Sequence, residues 1–113
     1  MYHEPVEELS AETRNIVRAL DSLKEEIEAV NWYHQRVDAC QDEELKKILA
    51  HNRDEEIEHA VMTLEWLRRN MPAWDEEMRT YIFGQGDITA LEDAETEEEE
   101  SETINTTDLG LNR

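Results

Sequence analysis

Apolar side chains recur along the first third of the chain at Leu9, Ile16, Leu20, Leu23, Ile27, Val30 and Val37, in steps of three, four and seven. That rhythm predicts a long helix from about Glu7 or Ser10 to Val37, with a narrow, coiled-coil-like seam. Asp38-Ala-Cys-Gln-Asp42 is too short for anything but a turn, and Asp42 is a good N-cap for a second helix from Glu43 to Arg69 or Asn70. Two long helices joined so tightly form an antiparallel hairpin. Pro72 then suits the start of a shorter third helix through Trp74, Met78, Tyr81 and Ile82, stopping at Gly84. The stripe Trp74, Met78 and Ile82 reads as a packing face, against the hairpin or a neighbouring subunit.

The second helix breaks the apolar rule at its centre. Residues three and four apart share a helix face, so Leu45, Leu49, Asn52, Glu56, His59, Thr63 and Trp66 form one stripe. A carboxylate and an imidazole three residues apart thus sit where the stripe should be most apolar. Burying them without partners would cost several kcal/mol. The first helix has a matching anomaly: Glu26 is the lone acid among Ala19, Leu23, Val30, Tyr33 and Val37. One hairpin therefore offers Glu26, Glu56 and His59. Doubled across a two-fold axis, it offers four carboxylates and two imidazoles inside four helices, the ligand set of ferritin-like di-iron bundles. Oxygen and imidazole donors without a matching thiolate suit iron or manganese rather than structural zinc. Tyr33, on the same face as Glu26, is placed to donate a hydrogen bond to a ligating carboxylate. The residues leave a second reading open, a polar layer that fixes helix register with its charges paired to Arg or Lys. Glu55 and Glu58 point away from the stripe and read as solvated charges, and His3, His34 and His51 as surface or packing residues.

Charge narrows the partners. Thirty acids against eleven bases give a net charge of −19 in 113 residues, which argues against nucleic acid and anionic membrane surfaces and favours metal cations or a basic protein. Farther round the first helix, Asp21, Glu25, Glu28 and Trp32 form an acidic patch that reads either as a solvated face or, because of its tryptophan, as an interface. Two helices of this length cannot close a four-sided bundle alone, so self-association is expected. The single cysteine, Cys40, excludes an intramolecular disulfide framework and suits a reducing cytoplasm. Neither a leader nor a membrane-spanning apolar run is evident, and a soluble protein is expected. Residues 1–91 make up the helical domain. Glu92 to Glu102 carries eight acids and no base, which predicts an extended, solvated spacer. Apolar residues return in 103–113, as a docking peptide or a plain terminus; composition alone leaves both open.

Glu25-Glu-Ile-Glu-Ala-Val-Asn-Trp-Tyr-His-Gln-Arg-Val-Asp-Ala39 resembles the first helix of the encapsulated ferritins, and Ile48-Leu-Ala-His-Asn-Arg-Asp-Glu-Glu-Ile-Glu-His-Ala-Val-Met-Thr-Leu-Glu-Trp-Leu-Arg-Arg-Asn70 resembles their second. The likeness continues through Arg79-Thr-Tyr-Ile-Phe83 and Asp87-Ile-Thr-Ala90, covering nearly all of the helical part. It implies an all-α hairpin dimerising into a ferritin-like four-helix bundle. It also implies ferroxidase activity, with two irons per dimer interface oxidised from iron(II) to iron(III) by O2. By the resemblance, Glu26, Glu56 and His59 match the ligands. Glu25, Glu28 and Trp32 match an outer site on the path of iron inward, open to other divalent metals, and Tyr33 lies behind the ligands. Family members assemble as rings of dimers, commonly decamers, and rely on a cytoplasmic encapsulin nanocompartment to hold their mineral. Asp108-Leu-Gly-Leu-Asn-Arg113 resembles shell-docking peptides in its Leu109-Gly110 and its basic end, but lacks their serine and has a shorter core. Two rivals remain: a non-enzymatic acidic helical adaptor and a passive metal-binding protein.

Overall fold

In a computed structural model of the chain, residues 2–93 are described; the greater part of the acidic spacer and all of 103–113 lie outside them. The chain divides into two units, Met1–Met71 and Pro72–Arg113.

The first unit is a helical hairpin. A 3-10 turn, Val6–Glu8, is held by Arg14, whose guanidinium donates to the Val6 carbonyl at 2.9 Å. Helix α1 spans Ala11–Ala39 and α2 spans Glu43–Asn70. Each starts on a side-chain cap that takes up a main-chain N–H otherwise left without a partner. The Ser10 hydroxyl accepts from Thr13 N at 3.0 Å, and Asp42 Oδ1 accepts from Leu45 N at 2.9 Å. Three residues, Cys40 to Asp42, separate the helices, so α2 runs back along α1.

The expected seam on α1 divides into two columns. Ile16, Leu23, Val30 and Val37, seven residues apart, are half-buried, while Leu20 and Ile27 are exposed, Ile27 to 56%. One helix can cover only one sector of its neighbour. On α2, Leu45, Ile48, Ile57, Val61, Met62 and Trp66 are exposed as well, and Leu67 is the only fully buried side chain among the described residues. Full burial of such a side chain contributes about 1.5–3 kcal/mol, and most of that remains to be gained by a single hairpin.

The last turn of α2 is fastened by charge. Glu65 accepts from Arg68 Nε at 2.6 Å and from Arg69 Nε at 2.7 Å. The bond from Arg68 first, then that from Arg69, holds the Glu65 carboxyl down from its ordinary 4.5 to about 2. A carboxyl with a depressed pKa stabilises the fold above its unfolded pKa, and the contribution fades as pH falls through the folded one. In acid titrations followed by circular dichroism, Glu65→Gln should therefore narrow its stability gap to wild type as pH drops from about 4.5 to about 2. A gap unchanged across that window would show that the clamp does not contribute.

The second unit opens with α3, Pro72–Tyr81. The expected stop at Gly84 is made differently. Ile82 N still donates to Met78 O, and it is Phe83 that turns left-handed, at φ 62. A Cβ at Gly84 would stand 2.5 Å from Leu91 Cδ1 and 3.2 Å from the Tyr81 carbonyl oxygen, so a larger residue there would displace the tip of Leu91. Asp87 then starts a further helical segment, 88–93, its Oδ1 accepting from Thr89 N at 2.9 Å. That segment takes in Glu92 and Asp93, where the acid run begins.

Candidate metal centre

The site residues follow from the hairpin's register. Arg53 on α2 reaches His34 Nδ1 on α1 at 3.2 Å, and an open groove is lined by Ala19 and Ser22 of α1 with Met62 and Thr63 of α2. In an antiparallel pair these contacts set Glu26 level with the turn that carries Glu56 and His59.

Glu26 lies half-buried on the face of α1 that meets α2, and its Oε2 is buried with no hydrogen-bond partner. An anionic oxygen held out of water without a donor is costly, and a cation offsets that cost. On α2, His59 Nδ1 stands 3.8 Å from Glu56 Oε2, with Glu56 at 28% exposure and His59 at 46%. The separation exceeds a hydrogen bond, so neither side chain is committed to the other. Glu56 is the less exposed of the two. Tyr33 is half-buried on the face of Glu26, two turns on.

Among the described residues, no group of three or more His, Cys, Asp or Glu side chains stands close enough to hold a metal ion. One copy presents Glu26, Glu56 and His59 on adjoining faces without closing them into a cage. Glu25, Glu28 and Trp32 are exposed on the outer side of α1, Trp32 to 50%, and they too form no closed group. The donors of Glu26, Glu56 and His59 are hard oxygens and imidazole, which fit iron in either oxidation state.

One neighbourhood was not anticipated from the sequence. Glu55 is an exposed carboxylate, as expected, but it has imidazole neighbours: its Oε1 lies 3.6 Å from His51 Nε2 and its Oε2 4.0 Å from His59 Nε2. His51, expected to be a plain surface residue, shares this ridge, and His59 thus has a carboxylate toward each ring nitrogen. The four-residue spacing of His51, Glu55 and His59 carried the signal.

A helical hairpin with carboxylates and an imidazole set into its apolar face belongs to the ferritin-like class of helical proteins. The profile of the EncFtn-like family matches residues 1–85, and the chain belongs to that family, the encapsulated ferritins. It is 66% identical over 92 residues to a ferritin-like protein of Thermotoga maritima, covering 81% of each chain. It is 64% identical over 94 residues to an encapsulated ferritin-like protein of Rhodospirillum rubrum, covering 83% of this chain and 67% of that one. The crystal structure of a protein from Nitrosomonas europaea superposes with a TM-score of 0.75 at 61% identity, over 77% of this chain and 96% of that one.

Proposed function

We propose that the protein is a ferroxidase. It oxidises iron(II) to iron(III) with O2 at a di-iron site formed between two copies of the chain, for iron storage inside an encapsulin shell. The observation that carries this reading is the buried, partnerless Glu26 Oε2, level with the uncommitted Glu56–His59 pair on a face that no single copy closes.

A second hairpin laid on that face across a two-fold axis brings a second Glu26, Glu56 and His59. It also covers apolar side chains that one copy leaves in water. In the resulting four-helix bundle, the carboxylates and imidazoles take two iron(II) ions as substrate. Each ion gives one electron to O2. Hard anionic carboxylates favour the harder iron(III), which draws the reaction forward. Tyr33 adds a phenolic donor that can hold a ligating carboxylate in place. Glu25, Glu28 and Trp32 form an outer site that collects iron(II) and other divalent cations. Dimers assemble further into a ring, which we take to be a decamer.

Family membership and the name of the Rhodospirillum rubrum relative support the encapsulated setting, and no helix among the described residues is long and apolar enough to cross a membrane. We assign the protein to an encapsulin nanocompartment in the cytoplasm, with 1–91 as the ferroxidase domain, 92–102 as an acidic spacer and 103–113 as the shell-docking peptide.

Aerobic iron(II) oxidation with iron in large excess over protein tests the reading. Sustained turnover is expected. Uptake that stops at a fixed ratio without oxidation would leave a passive metal binder, and neither uptake nor oxidation would leave an adaptor. Deleting 103–113 should abolish co-purification with a co-expressed shell protein and leave oxidation in solution unchanged, because a module tethered by a solvated spacer acts independently. Normal loading of the shortened chain would place the docking element elsewhere.

A further inference from the structure

The guanidinium carbon of Arg36 stands 5.2 Å from the centroid of the Tyr33 ring. Arg36 lies in the last turn of α1, three residues beyond Tyr33 and so on the neighbouring stretch of the same face. In a chain with thirty acids and eleven bases an arginine has carboxylates to choose from. Yet no carboxylate pairs with Arg36 among the described residues, and its planar cation lies on an aromatic face instead. No hydrogen bond fixes the Tyr33 hydroxyl within the described residues either, so the ring is held by stacking and by the half-burial of its face.

We propose that Arg36 is a positioning residue for Tyr33, clamping the ring so that its hydroxyl is presented along the seam to the iron-holding carboxylates. The proposal rests on the ferroxidase reading. A guanidinium is suited to the task because it is flat, permanently charged and weakly hydrated; an ammonium in its place keeps the charge and loses the stack.

The test uses the full chain with fluorotyrosine at its three tyrosines, Tyr2, Tyr33 and Tyr81, and Tyr33→Phe to assign the Tyr33 resonance. Arg36→Gln should shift and broaden that resonance and leave the other two in place, and Arg36→Lys should not restore it. In iron oxidation, Arg36→Gln should lower kcat by about two- to fivefold, the size of an exposed cation–π contact, with half-saturating iron little changed. Combined with Tyr33→Phe it should cost nothing further, since the group it positions is gone. Additive losses in the double variant, or an unmoved Tyr33 resonance, would overturn the assignment of Arg36 while leaving the ferroxidase reading intact. A wild type that fails to oxidise iron would remove that reading and the role of Arg36 with it.

Discussion

Replacing His59 or Glu56 with alanine is expected to abolish most iron(II) oxidation while far-UV helicity stays at the wild-type level. The two demands together make the test sharp. Neither side chain has a structural duty that alanine would fail to meet. Glu56 and His59 are separated by 3.8 Å without a hydrogen bond, both are partly open to solvent, and alanine is the better helix former. What alanine removes is a donor. Loss of a residue that merely supports a metal ligand costs about 10–100-fold in affinity or activity, so losing a ligand itself should cost on the order of 100-fold or more. Glu44→Gln, at an exposed acid in the first turn of α2, should leave the rate unchanged and so control for the loss of a negative charge. Wild-type oxidation in both His59→Ala and Glu56→Ala would dismiss the assigned site.

The second large effect concerns assembly. A dimer that closes on this face gathers two copies each of Glu26 and Glu56, four negative charges in one seam. Two iron(II) ions bring four positive charges and neutralise it. Without metal the carboxylates repel at short range in a poorly hydrated space. On the proposed site, iron binding the paired state and not the separate hairpins should strengthen pairing by mass action, by about 2.7 kcal/mol, or roughly a hundredfold, when free iron is a hundred times its Kd. The double variant Glu26→Ala with Glu56→Ala removes both the repulsion and the metal site. It should associate whether or not iron is present. Native mass spectrometry with and without a chelator separates the two behaviours. An apo wild type already fully assembled at low concentration, or a double variant that still responds to iron, would show that the coupling is wrong.

Much of the hairpin could be read from local chemistry. Ser10, Asp42 and Pro72 mark starts that the folded chain uses, because capping depends on a few neighbouring residues. The seam was less legible. Periodicity groups Leu20 and Ile27 with Leu23 and Val30, but only the angle at which α2 lies on α1 decides that the first pair faces outward. Gly84 marked the right place for a stop, though the left-handed turn falls on Phe83 and the glycine makes room for Leu91. At the site, Glu26, Glu56 and His59 stood out because they interrupt apolar stripes. Glu55 did not, because it interrupts nothing, and its nearness to His51 and His59 depends on side-chain directions along the ridge. A closed metal cage is legible neither in the sequence nor in one chain, since on the proposed reading its second half is supplied by another copy.

Anomalous scattering from a crystal soaked with iron(II), measured on both sides of the iron absorption edge, tests the di-iron site most directly. Two iron peaks are expected at each interface between paired copies, flanked by Glu26, Glu56 and His59 from both chains. Iron confined to the outer acids Glu25 and Glu28, or no iron at the seam of a fully paired bundle, would contradict it.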